Sequence, residues 1–319
     1  MLIMLVTPLA PATLAVGARG FTDLPEPGHW SYEGIASVIE NNIMGGYGDG
    51  TFRPDRAITL AEASAYLARA MGATARAAEM PGISGYAQGS WYDREGVVAI
   101  AYRMGIIEGI IGKYGAAEPD MPLLSEDAFD MMARAISPGK GAPGILEGFS
   151  DGDAISPMYA SNIAALVEGG YVQWHGIAGG AASFAPVEPI TRARFATVFG
   201  RVFGHYITEA GAYDSVAVQN AVVNTQGVTL RGADIAGDLI IGDGVGDGAV
   251  TLENARVGGR LVVRGGGADS IIILGGSIGE IVAARAEDDV RIHIGGGAEV
   301  TGVRAASGKP RHNSSHCRD

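Results

Sequence analysis

The sequence predicts a multi-domain α + β chain, in which helix-loop-helix repeats are followed by a short, glycine-rich, right-handed parallel β-helix. Three observations carry this reading. Helix-start signals at Thr59, Ser125 and Thr191 recur about every 66 residues. From about Tyr213 the period drops to about 20 residues, with β-branched runs between glycine corners. The chain's 50 glycines are concentrated after about residue 230, which marks a second architecture there.

Length and composition fit this division. The chain has 319 residues, 47% of them hydrophobic, enough for several separate cores. A net charge of -12 with no basic stripe argues against a nucleic-acid partner, since duplex binding rests on Lys and Arg neutralising phosphates. One cysteine, Cys317, builds neither a disulfide framework nor a cysteine metal site.

Residues 1–18 are apolar but Pro-interrupted, and Val16-Gly17-Ala18 suits a signal-peptidase cut. The segment is read as an export signal, with an uncleaved anchor as the alternative because a basic start is missing. No membrane span is expected after its removal.

The first unit opens with Phe21-Thr22-Asp23 and Trp30, then a helical face of Ile35, Val38, Ile39 and Ile43. The loop "GGYGDGTFRP" supplies turn glycines at 45, 46, 48 and 50. Thr59 with Glu62 reads as a capping box, starting a helix striped by Ala63, Tyr66, Leu67 and Met71. A second unit repeats the grammar from Trp91, with Ser125 read as the helix cap before Phe129, Met132 and Ile136. A third runs from Phe149-Ser150-Asp151 and Tyr159 to Thr191, which caps Phe195, Val198, Phe199 and Val202.

These residues resemble the S-layer homology domain family, whose units carry Phe-x-Asp, a Trp, Gly-Tyr-x-Asp-Gly-Thr-Phe-x-Pro and an Ile-Thr-Arg-Ala-Glu helix start. "GYGDGTFRP" is the specific match. The resemblance covers about residues 21–204, strongest in the first unit and weakest in the second. It implies a pseudo-trimer around a central helix bundle. Its grooves would hold an acidic secondary cell-wall polysaccharide, often pyruvylated, and so anchor the chain non-covalently to the wall.

The resemblance also assigns sites. Its Thr-Arg-Ala-Glu positions fall on Thr59-Leu60-Ala61-Glu62, Ser125-Glu126-Asp127-Ala128 and Thr191-Arg192-Ala193-Arg194, of which only the third keeps the arginine. A carboxylate-bearing glycan needs a fixed cation, which neither Leu60 nor Glu126 supplies. Arg192 is therefore the leading glycan-binding candidate, with Thr191, Thr59 and Glu62 beside it. Trp30, Trp91 and Tyr159 are read either as sugar-facing or as core aromatics, and Gly48, Asp49 and Gly50 as loop contacts. Arg69, Arg134 and Arg201 recur on the same helix and are expected to hold units together.

In the last third, "VTLRGADIAGDLIIGDGVGDGA", "VTLENARVGGRLVVRGGGADS" and "IIILGGSIGEIVAARAEDD" align as rungs, with "VRIHIGGGAEV" as a partial one. The expected boundaries are 1–18 for the signal, 19–80, 81–140 and 141–206 for the units, 207–304 for the β-helix and 305–319 for a disordered tail.

Parallel β-helices include polysaccharide lyases and hydrolases. Asp234, Asp238, Asp243 and Asp247 sit at turn positions, and no nucleophile or paired-carboxylate constellation stands out. "GDGVGDG" is similar to calcium turns, but turn chemistry explains its aspartates. His175, His205, His293, His312 and His316 are scattered, and neither metal nor cofactor is expected. The leading expectation is an exported, non-enzymatic cell-surface protein. A surface carbohydrate-active enzyme and a self-associating S-layer lattice component are the alternatives.

Overall fold

A computed structural model describes residues 20–74, 90–172, 182–268, 270–285 and 289–306. The expected export signal, Cys317, His175, His312 and His316 lie outside the described residues. Among the described residues, eight α-helices precede a parallel β-solenoid of about four turns. The helices are α1 (Tyr32–Glu40), α2 (Leu60–Ala70), α3 (Trp91–Glu95), α4 (Val97–Arg103), α5 (Glu108–Tyr114), α6 (Ser125–Ile136), α7 (Pro157–Glu168) and α8 (Arg192–Phe203). Among the described residues, no helix is long and apolar enough to cross a membrane.

Local chemistry explains the helix starts. The Thr59 hydroxyl accepts the Glu62 N–H while the Glu62 carboxylate accepts the Thr59 N–H, which closes a capping box on α2. Thr191 likewise accepts the Arg194 N–H on α8. The same elements then interlock through backbone. Ile58 donates to the Ile190 carbonyl, Ile190 to Leu123, and Leu123 back to Ile58, at 2.9 to 3.1 Å. Beside this closed ring, the first free N–H groups of each helix find carbonyls in another loop. Leu60 and Ala61 donate to Met121 and Pro119, Ser125 and Glu126 to Glu188 and Pro186, Arg192 and Ala193 to Arg56 and Pro54.

This register corrects one expectation. Ser125 is not a cap: Leu124 holds that place without a side-chain bond, and Ser125 is the first helical residue, equivalent to Leu60 and Arg192. Its hydroxyl donates to the Glu188 carbonyl at 3.2 Å. The four residues matching Thr59-Leu60-Ala61-Glu62 are therefore Leu124-Ser125-Glu126-Asp127. A serine at either place reads alike in sequence, and only the ring of backbone donors distinguishes them.

The Phe-x-Asp aspartates close the loops. Asp23 accepts the N–H groups of Phe52 and Arg53 at 2.7 and 2.8 Å, and Asp151 those of Phe184 and Ala185 at 2.7 and 2.8 Å. Both Arg53 and Ala185 are held at positive φ, 58° and 49°, an uncommon conformation that the carboxylate fastens. Helices α1 and α8 cross so closely that a Cβ on Gly34 would lie 2.4 Å from the Thr197 Cα.

The solenoid follows α8 after a single residue, Gly204. Its strands are β1 (His205–Ile207), β2 (Gly211–Asp214), β3 (Ala217–Val218), β4 (Ala221–Val223), β5 (Val228–Arg231), β6 (Asp234–Ile235), β7 (Leu239–Ile241), β8 (Val250–Val263), β9 (Ile271–Ala283), β10 (Ile292–Gly295) and β11 (Glu299–Ala305). All pair in parallel and stack into three faces, so β10 and β11 complete a last rung. One core fills the coil with residues such as Val228, Leu230, Val250, Leu252, Ile271 and Ile273.

One face is apolar on both sides. Val222, Ile240, Val262 and Val282 lie in register and pack into the helical core rather than the solenoid's own. Polar side chains beside this row then reach the carboxyl ends of the helices. Arg264 donates to the Ala135 and Met104 carbonyls, Arg304 to Ser137, and Asn220 to Arg201. Helix C-termini favour such cations because their last carbonyls are unpaired and carry partial negative charge.

Candidate functional site

Arg192, the leading candidate, is 2% exposed and points into the loop between α1 and α2. Its Nε donates to the Phe52 carbonyl at 2.8 Å, Nη1 to the Tyr66 hydroxyl at 2.8 Å, and Nη2 to the Gly45 carbonyl at 2.5 Å. The guanidinium carbon lies 4.4 Å from the Phe52 ring centroid and 5.3 Å from that of Tyr47. All three hydrogen-bond acceptors are neutral. Burial pushes the Tyr66 hydroxyl up to about 12, although Arg192 pulls the other way.

Two further guanidiniums surround Tyr47. The Arg53 carbon lies 4.1 Å and the Arg56 carbon 5.4 Å from its ring centroid. Arg56 is paired with Glu62 at 2.7 Å and Arg53 with Asp49 at 2.7 Å. Hydrogen bonds from Thr51 and Arg53 hold the exposed Asp49 carboxyl at about 2. The Tyr47 hydroxyl itself is buried and has no hydrogen-bond partner, an arrangement native interiors rarely leave unfilled. Gly48 and Asp49 are exposed at the loop tip, and Gly50 donates back to the Tyr47 carbonyl at 3.0 Å.

Tyr47, Arg53 and Arg56 were not singled out from the sequence. All three lie inside "GYGDGTFRPDR", a stretch whose glycines and aspartates read first as turn chemistry. Thr59 and Glu62 serve the capping box, with Glu62 also holding Arg56, and Thr191 serves its own cap.

The three aromatic candidates are not brought together. Trp30 is 45% exposed and lines a pocket of about 190 Å³ with Phe129, Phe149, Arg194 and Arg201. Trp91 is 36% exposed and packs edge-on against Tyr92, centroids 5.7 Å apart. Tyr159 is wholly buried. The shared pattern of Ile43 donating to Val38 and Tyr171 to Leu166 aligns Trp30 with Met158, not with Tyr159.

Arg194 answers the missing arginine at Ser125. Its Nη1 donates to the Ser125 hydroxyl at 2.8 Å and its Nη2 to the Phe184 carbonyl. Its guanidinium carbon lies 5.3 Å from the Phe129 centroid and 5.6 Å from that of Phe184. Phe184 thus receives from Arg194 what Phe52 receives from Arg192. Burial lowers the Arg194 pKa, with Asp151 and Glu188 acting in the opposite sense. Glu126 does not face a groove: it is buried and accepts Lys113 Nζ at 2.7 Å and the Ser156 hydroxyl at 2.8 Å. Lys113 also bridges to Asp127 at 2.8 Å.

Residues 21–64 match the family model described as the S-layer homology domain. This segment, the S-layer homology segment below, is similar to that family. A curated relative, the cellulosome-anchoring protein of Acetivibrio thermocellus, is 52% identical over 42 residues. That stretch is 13% of this chain and 9% of the relative, so the chain spans under a tenth of the relative's length in the match. The S-layer homology segment contains Tyr47, Arg53, Arg56 and the carbonyls that Arg192 binds.

Proposed function

We propose that the chain is an exported, non-catalytic anchor that holds an acidic secondary cell-wall polysaccharide at the Tyr47 loop and presents its solenoid at the cell surface. One observation carries this. The ring of Tyr47, whose buried hydroxyl has no hydrogen-bond partner, is approached by three guanidiniums, Arg53 and Arg56 of the S-layer homology segment and Arg192 of α8. A carboxylate on a pyruvylated sugar would supply the missing acceptor and match the guanidinium geometry. The backbone ring through Ile58, Leu123 and Ile190 supports reading the helical region as three units about a pseudo-threefold axis. In that arrangement Arg192 and Arg194 serve two grooves, and Trp30 lies beside the second.

The solenoid carboxylates support a non-catalytic reading. Asp238 accepts from Arg260 and Tyr171, Asp243 from Arg264, and Asp247 from Arg285. Engaged in this way they are structural ties, not a free acid and base. The same pairings occupy both aspartates of "GDGVGDG".

The test is co-sedimentation of the full chain with purified cell-wall sacculi, comparing wild type with Tyr47→Phe. That change deletes one unpartnered hydroxyl and leaves the packing intact. Pelleting of wild type and an affinity about tenfold weaker for the variant are expected. Equal pelleting would refute the role given to Tyr47, and no pelleting of wild type would refute the anchor.

A lattice role is the second reading, favoured by the last described rung of the solenoid. Among the described residues strands β10 and β11 pair only with β9, and Ile294 and Val303 on them are 42% and 65% exposed. Concentration-dependent assembly in light scattering, abolished by Val303→Lys, would support it.

A further inference from the structure

A second concentration of positive charge lies where the helical region meets the last rungs of the solenoid. A cleft of about 600 Å³ opens there, lined among others by Arg134, Lys140, Arg285 and Arg304, with Tyr102 and Met158 each 49% exposed. In a chain of net charge -12 this clustering runs against the average. Most of the cations are neutralised by pairing. Arg134 is held by Asp130 at 2.7 Å and Glu108 at 3.1 Å, and Arg304 by Glu280 at 3.1 Å.

Two are not fully answered. Arg285 is 4% exposed, and its Nη2 meets Asp247 at 2.5 Å, but its buried Nη1 has no hydrogen-bond partner. Lys140 is exposed and makes no ion pair among the described residues. A buried guanidinium N–H without an acceptor and an unspent ammonium, both lining one cleft, call for an oxyanion. The cleft's volume lies in the range of small-molecule sites, and the face of Tyr102 offers an apolar platform.

We propose that this cleft binds a carboxylate-bearing sugar, with Arg285 Nη1 and Lys140 taking the carboxylate and Tyr102 the ring. The site shares no residue with the Tyr47 loop and stands whether or not that loop binds the wall polymer. A single chain would then grip an anionic glycan at two separated places, one in the S-layer homology segment and one at the seam.

Isothermal titration of the full chain tests it, using D-glucuronate, D-glucose and inorganic phosphate at constant ionic strength. Binding of glucuronate at least tenfold tighter than glucose is expected, unchanged in Tyr47→Phe and weakened at least fivefold in Lys140→Glu. Lys140 has no ion-pair partner to lose among the described residues, so this variant folds as wild type, and a matching circular dichroism spectrum verifies that. Tyr102→Ala is expected to weaken glucuronate and leave phosphate unaffected. Equal affinity for glucose and glucuronate overturns the proposal. So does phosphate binding tighter than glucuronate, which would mark a simple oxyanion site, or glucuronate binding lost in Tyr47→Phe but kept in Lys140→Glu.

Discussion

Arg192 hydrogen-bonds the carbonyl of Phe52, 140 residues earlier in the chain, at 2.8 Å. The contact closes the first loop onto the last helix. The buried guanidinium also satisfies Gly45 and Tyr66, so one side chain completes three polar groups at once.

Replacing it should therefore cost more than a surface arginine. Arg192→Leu is expected to destabilise the chain by about 3 kcal/mol or more, because the buried Phe52 carbonyl and Tyr66 hydroxyl, and the Gly45 carbonyl beside them, lose their partner. Arg192→Lys should recover only part of this, since an ammonium cannot reproduce the planar fork. Urea unfolding checks both, and a Lys variant as stable as wild type would contradict the geometry.

Acid should loosen the third loop through Asp151. Burial raises its carboxyl pKa, but hydrogen bonds from Phe184, Ser183 and Ala185 more than offset this and leave it below the usual value. A depressed folded pKa adds stability above the unfolded value, about 4, and that stability is lost as pH falls through the folded value. Asp151→Asn should lower the melting temperature at pH 7 and flatten the acid limb below about pH 4. Parallel wild-type and variant curves would remove Asp151 from that limb.

Gly34 tests the crossing of α1 and α8. With a Cβ only 2.4 Å from the Thr197 backbone, Gly34→Ala forces the helices apart. A loss of about 1–3 kcal/mol is expected, despite the better helix propensity of alanine. A stabilised variant would show that the crossing yields freely.

The covered face of the solenoid makes the fourth prediction. Ile240 is 1% exposed and belongs to the helical core, so Ile240→Ala should cost about 2–5 kcal/mol. Ile294→Ala, at 42% exposure, should change stability by less than about 0.5 kcal/mol. Chemical denaturation of both variants decides this, and a neutral Ile240→Ala would mean the two parts are not packed as one.

Much of this fold was legible because its signals are local. The Thr59 capping box, the roughly 66-residue recurrence and the β-branched rungs each depend on neighbours within one element. Ser125 was misplaced by one residue because the ring of backbone donors that fixes its register joins segments far apart in sequence. The arginines at the seam were silent for the same reason: nothing near Arg264 announces that it will meet Ala135 and Met104. Tyr47 shows the remaining limit. Its motif was visible, but an unpartnered hydroxyl exists only once Arg53, Arg56 and Arg192 have been gathered around it.

A single residue, Gly204, separates α8 from β1, and the solenoid's side chains grip the carboxyl ends of the helices. The junction therefore has no slack to take up. A pull on the solenoid is borne by the row from Val222 to Val282 and by the arginine contacts beside it, loaded together in shear rather than one after another. Whatever holds the helical region fixes the attitude of the solenoid as well as its address, as a bracket does and a tether does not.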